Sequence, residues 1–145
     1  MNEKKYFQER VEGQIDWYNR NSVKNKILFR ALQTCAIVFA TSIPFLTGFI
    51  SDQDPIPKNI IGILGLLTAI ITGVVSLFKF QENWLTFRTT CESLKHEKYL
   101  FLTKSEPYNS KDAFNIFVAR VESLISKENT DWAQKMHEFT KTKSS

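Results

Sequence analysis

Glu92, His96 and Glu97 are the nearest approach in this 145-residue chain to a group that could move protons or hold a metal ion. Metal binding needs several His, Cys or carboxylate ligands converging at fixed spacing, and neither histidine, His96 or His137, has a second Cys or His at ligand spacing. Glycine-rich phosphate loops and nucleophile elbows are missing too. The three residues read more simply as a solvated helix face with i,i+4 pairing, so neither catalysis nor a cofactor or metal is expected.

A second set of residues points to chemistry in lipid. Gly62, Gly65, Ala69, Thr72, Gly73 and Ser76 recur at spacings of three and four, which gives a helix one small-residue face. Such a face lets helix backbones approach closely, either between two helices of one chain or between copies, and the pattern leaves both open. Two helices cannot enclose a water-filled path, so permeation requires a homo-oligomer. Thr34, Thr41, Ser42 and Thr47, with Thr68 and Thr72, supply hydroxyls for a narrow, largely apolar lining of the kind that closes by dewetting. Asp52 and Asp54 would ring its outer mouth.

What must position these residues is two uncharged apolar runs, 31–51 and 59–78, joined by a short connection. Roughly 20 residues at ~1.5 Å rise reach ~30 Å, the thickness of a bilayer core. The mean hydropathy of −0.23 conceals them because the rest of the chain is highly charged. Residues 1–30 carry seven Lys and Arg against four acids, and residues 79–145 carry eleven against nine. Arg20, Lys24, Lys26 and Arg30 precede the first run, and Lys79 and Arg88 follow the second. By the positive-inside rule both termini are expected to be cytoplasmic, with the acidic connection facing out. The same distribution explains a net charge of +4 without nucleic acid. The first run follows a charge-rich stretch of thirty residues and resembles a retained anchor rather than a cleaved signal. Cys35 and Cys91 sit at heights too different for a disulfide and are expected to be reduced.

Outside the runs the helical period continues. Phe7, Val11, Ile15 and Tyr18 form an apolar face, so one helix is expected from about Glu3 to Phe49, kinked at Pro44. Pro55 and Pro57 make the turn. A second helix is expected from about Lys58 to Leu102. Its seam of Phe80, Trp84, Phe87, Cys91, Leu94 and Phe101 follows a seven-residue pattern. After SEPYNS at 105–110 a third helix begins near Lys111, with Phe114, Phe117, Val118, Val121, Leu124 and Ile125 as its stripe, continued by Trp132, Met136 and Phe139. Such a stripe needs a partner. The expectation is therefore an all-α single domain: a transmembrane helical hairpin of two long helices with a cytosolic stem (3–30 and 79–103), and a third amphipathic helix (111–139) packed on that stem. The alternative for the third helix is the membrane surface, which its mixed charges disfavour.

Three stretches in this order, QIDWYNRNSVKNKILFR at 14–30, LFKFQENWLTFRTTCESLKHEKYLF at 77–101 and FVARVESLISKENTDW at 117–132, carry a family likeness. Around two spans and a short turn they resemble the SLATT family, the SMODS- and SLOG-associating two-transmembrane effectors, and a related bacterial group of unknown function with the same layout. The resemblance implies a membrane effector of bacterial conflict systems that opens pores once a partner senses infection or a nucleotide signal. It implies a separate sensor or nucleotide synthase as that partner. Its motif falls on Trp17, Tyr18, Arg20, Asn25, Phe80, Glu82, Asn83, Trp84, Arg88, Glu92, Glu97 and Phe101. This sequence departs from the pattern at Phe87, often Tyr in the family, and at Glu106, where a small residue is usual. Read from the residues alone, Arg88 and Glu92 make an i,i+4 ion pair and Trp84 an aromatic anchor, so packing competes with ligand binding as the motif's purpose. A constitutive small ion channel and a non-conducting scaffold for a cytosolic partner are the rival functions.

Overall fold

A computed structural model describes residues 2–48 and 56–142, with side chains at 2–48, 58–127 and 130. Among the described residues all regular structure is helical. Helix α1 (Glu3–Lys5) runs into a π-helical stretch (Tyr6–Glu12) and then α2 (Gly13–Thr47), followed by α3 (Ile56–Phe78), α4 (Phe80–Leu102) and α5 (Ala113–Thr142). The chain divides into two compact units, Met1–Ser22 with Leu85–Ser145, and Val23–Trp84.

The first unit is a three-helix core. Val11, Ile15 and Tyr18 are buried as the periodicity requires, and Phe7 packs at the edge. Tyr6 joins them for a reason the sequence period does not show: a π turn closes residue i on i+5, which brings Tyr6 one turn from Val11. Facing them are Cys91 and Leu94 of α4, Tyr108 of the connecting segment, and Phe117, Val121 and Ile125 of α5. Phe117 sits at the centre, its ring 4.5 Å from that of Phe101, 5.8 Å from Phe7 and 5.9 Å from Tyr108. The stripe on α5 thus finds its partner in the other two helices. The side chains of Trp132, Met136 and Phe139 lie outside the described residues.

In the second unit, α2 loses solvent at Asn25, Phe29, Leu32, Ala36, Phe39, Ile43 and Leu46, alternating steps of four and three. The helix stays α-helical through Pro44 and ends one turn later at Thr47. The kink expected at Pro44 therefore concerns only the last turn, where a proline removes a single backbone bond near the terminus. In α3 the less accessible positions are Ile61, Leu64, Thr68, Ile71 and Val75, again at three and four.

The expectation of one helix from Lys58 to Leu102 is corrected at Lys79. That residue has φ 48°, and α3 and α4 end and begin on either side of it. The cause is a phase conflict. From Ile71 to Phe80, and from Val75 to Trp84, is nine residues, which at ~100° per residue is half a turn out of step. A straight helix would put these partly buried side chains on opposite faces, and one left-handed residue resets the phase. Asn83 caps the break: its side-chain amide donates to the Phe78 carbonyl at 3.1 Å and its backbone N–H to Lys79 at 3.0 Å. Lys79 also pairs with Glu82 at 3.5 Å, and the Phe78 and Phe80 rings stack 5.6 Å apart. A side chain in this region costs about 1–2 kcal/mol that glycine does not incur. Lys79→Gly should therefore raise the thermal midpoint in detergent by a few degrees, and a lower midpoint would contradict the assigned backbone.

Candidate functional site

Two regions hold the residues singled out by sequence: the apolar helices and the juxtamembrane segment. On α3 the small-residue face is turned away from the positions that lose solvent. Gly62, Ala69, Thr72, Gly73 and Ser76 are exposed, whereas Gly65 and Thr68 are half-buried with Leu64 and Ile71. A Cβ built on Gly62, Gly65 or Gly73 would meet no heavy atom within 4 Å. The close approach that small residues permit is not used between the helices of one chain.

On α2, Thr34 and Thr41 lie across the helix from buried Ala36 and are exposed. The hydroxyls fold back on their own helices: Thr41 donates to Ile37 at 2.9 Å, Thr68 to Leu64 at 2.8 Å and Thr72 to Thr68 at 2.8 Å. Their lone pairs remain as acceptors on otherwise apolar surfaces. Thr34, Thr41, Thr72 and Ser76 thus share outward faces, and Thr68 does not join them. Asp52 and Asp54 lie outside the described residues.

The juxtamembrane motif resolves into packing and short charge ladders. Trp17, 45% exposed, stands edge-on to Phe87 at 5.6 Å and to buried Tyr18 at 4.9 Å. Phe87, where the resembled family often has tyrosine, is held by these rings without a hydroxyl. Arg20 is exposed and reaches the Asp16 carbonyl at 3.4 Å. Trp84 lies under the Lys26 ammonium at 5.6 Å, within cation–π range. Arg88 pairs with Glu92 at 3.0 Å, and Lys95 with the same carboxylate at 3.2 Å. Half-exposed pairs along one helix contribute a few tenths of a kcal/mol each. Phe80, Glu82 and Asn83 serve the Lys79 break. A shallow groove of about 790 Å³ runs along this face, lined by Arg88, Glu92, Lys95, His96, Tyr99 and Leu124 among others. Among the described residues no three His, Cys, Asp or Glu side chains gather as metal ligands do.

Glu97 belongs to one of two clusters that sequence reasoning missed. Its carboxylate accepts from the Tyr108 hydroxyl and from Arg120 at 3.3 Å. In the other cluster, Glu122 accepts from Tyr6 at 3.0 Å and from Arg10 in a fork, Nε at 3.0 Å and Nη2 at 2.9 Å. Both clusters tie α5 to the rest of the first unit. Their signal was present: Glu122 interrupts the apolar stripe beside Val121, and Tyr6 and Arg10 share a helix face. The electrostatics follow the geometry. The Arg10 guanidinium, helped by the Tyr6 hydroxyl, holds the Glu122 carboxyl below the usual range. Burial, then the neighbouring carboxylate, pushes the Tyr6 and Tyr108 phenols well above theirs, so both remain neutral donors. Burial also pushes the Cys91 thiol up, and its sulfur donates to the Ile15 carbonyl at 3.6 Å. A thiol of this kind is a poor redox nucleophile.

The Glu122 shift has a sign. Its pKa is lower folded than unfolded, so its contribution is complete above the ordinary value of 4.5 and is lost as pH falls through the folded value. Two-fifths exposure of both partners limits the contribution to about 1 kcal/mol. Melting curves between about pH 7 and pH 3 should show a smaller acid-induced drop in Glu122→Gln than in the native chain. Equal drops would contradict the role of the fork.

Among the described residues the molecule is all-helical, with two helices long and apolar enough to cross a membrane. It belongs to the family described as Protein of unknown function (DUF4231), whose model matches residues 13–115. No curated protein and no solved structure matches it. The matched stretch takes in both long apolar helices and the whole motif from Trp17 to Phe101, and stops before Glu122.

Proposed function

We propose that this protein is an integral membrane protein of the bacterial inner membrane in which α2 and α3 pack as an antiparallel transmembrane hairpin, with both termini cytoplasmic. Copies of it assemble through the outward face of α3 and permeabilise the membrane. The observation that carries this reading is that face: Gly62, Thr72, Gly73 and Ser76 are exposed, and the positions a Cβ would occupy at its glycines meet nothing in the chain. In lipid, tail burial gives no extra drive for association, so close contact at small residues is the main means by which helices pair. The hydroxyls of Thr34, Thr41 and Thr72 line the same outward faces and would give the assembly a narrow, gateable lining. The likeness to SLATT effectors adds a role in conflict with phage or rival cells, triggered by a separate sensor or synthase of a nucleotide signal. The cytosolic three-helix unit is the part such a trigger would engage.

Reconstitution in liposomes with dye- and ion-flux assays, alongside induced expression in cells, tests the reading. Flux together with arrested growth is the expected result. Flux without toxicity would favour an ordinary channel. Silence in both assays, with and without a co-expressed nucleotide-signal synthase, would favour a scaffold that anchors a cytosolic partner.

A further inference from the structure

The two turns of α2 that precede its uncharged run carry a pattern that neither packing nor permeation uses. Lys24 and Arg30 are exposed and make no ion pair or hydrogen bond among the described residues. Among the described residues Lys26 is engaged only by the face of Trp84. Five cations of the first unit, Arg10, Arg88, Lys95, Lys98 and Arg120, meet carboxylates at 3.3 Å or less. The fourth cation of this region, Lys79, has its carboxylate in Glu82.

Between the cations the helix exposes large apolar side chains. Val23 is 44% exposed, Ile27 60% and Leu28 48%. Water is a poor environment for three such residues in two turns, and so is the deep hydrocarbon for the charges among them. The layer that suits both is the boundary between headgroups and acyl chains, where apolar side chains enter the tails and long basic side chains reach phosphates. Trp84 fits the same layer, with an apolar ring and a polar edge.

We infer that Lys24, Lys26 and Arg30 bind the phosphates of anionic phospholipids in the cytoplasmic leaflet, with Val23, Ile27 and Leu28 seated at the acyl boundary. The site lies below the uncharged run, so the lipid-contacting part of α2 begins about eight residues earlier than hydropathy alone indicates. Surface basic residues near an anionic leaflet each add attraction that salt screens, and three within two turns select anionic over zwitterionic headgroups. This inference rests on the membrane reading above and on its cytoplasmic placement of the termini.

The test uses the full chain with Trp17→Phe and Trp132→Phe, leaving Trp84 as the sole indole reporter. The protein is reconstituted in vesicles of phosphatidylcholine mixed in equal parts with phosphatidylglycerol, either lipid being brominated in turn so that it quenches a nearby indole. Brominated phosphatidylglycerol should quench Trp84 in preference, by at least about fivefold in relative association. Lys24→Gln, Lys26→Gln and Arg30→Gln combined should bring the preference to unity, and the charge-preserving set Lys24→Arg, Lys26→Arg and Arg30→Lys should keep it. Equal quenching by the two lipids in protein that resists carbonate extraction would overturn the lipid site and leave the membrane reading standing. Release by carbonate would overturn both. Loss of the preference on adding inorganic phosphate, at constant ionic strength, would assign the cations to a soluble anion and overturn the lipid assignment.

Discussion

Phe117→Ala should detach α5 from the other two helices of the first unit. The side chain has no solvent exposure and its ring touches those of Phe101, Phe7 and Tyr108. Truncating a buried phenylalanine costs about 3–5 kcal/mol, because the transfer free energy is lost and the surrounding rings cannot close the cavity. That is a large share of the ~5–15 kcal/mol by which a domain is stable. Arg120 in the Glu97 cluster and both partners of the Glu122 fork are roughly half-exposed, so these ion pairs cannot hold α5 alone. Amide exchange across 113–125 should accelerate by roughly a hundredfold or more. Leu102→Ala, at a side chain 56% exposed, should change it little. Unchanged exchange in Phe117→Ala would mean that the core is not organised around this ring.

The second large effect concerns assembly. Gly62 and Gly73 stand eleven residues apart, three turns along one face of α3, and a Cβ built on either meets no heavy atom within 4 Å among the described residues. Gly62→Leu with Gly73→Leu should therefore leave folding intact and raise helix stability, since leucine is favoured over glycine by close to 1 kcal/mol per site. The same leucines stand where two backbones must come together in an oligomer, and small-to-large changes there remove the close contact that drives pairing in lipid. The double variant should insert normally and lose flux by an order of magnitude or more. Ala36→Leu, by contrast, overfills a buried position on α2 and should destabilise by about 1–3 kcal/mol. Native flux from the double leucine variant would remove the α3 face from the account.

These contrasts show how much the residue pattern reveals. The two apolar helices were legible as uncharged runs of spanning length, and the face through Val11, Ile15 and Tyr18 and the seven-residue seam of α4 because burial on one side imposes a period. The break at Lys79 was not read, since lysine gives no turn signal. Its trace was the nine-residue jump between Ile71 and Phe80, where continuous seams allow seven or eight. Tyr6 entered the core through a π register that a 3.6-residue period cannot express. The fork between Arg10 and Glu122 joins residues 112 apart in the chain, a pairing no local spacing encodes. The purpose of the α3 glycines stayed open for a different reason: contact within a chain and contact between copies require the same spacing. What separates them is which face the chain itself covers, and it covers the side of Ile61, Leu64, Thr68, Ile71 and Val75.

The central claim is that the uncovered side of α3 meets a second copy inside the membrane. Cysteine cross-linking in isolated membranes tests it most directly, with Cys35→Ser to remove the exposed native thiol and buried Cys91 retained. A disulfide forms only when the two Cα atoms come within about 7 Å. Gly73→Cys should give a covalent dimer on mild oxidation, and Val75→Cys, on the covered side, should not. A dimer through Val75→Cys with none through Gly73→Cys, or no dimer at either position, would contradict the claim.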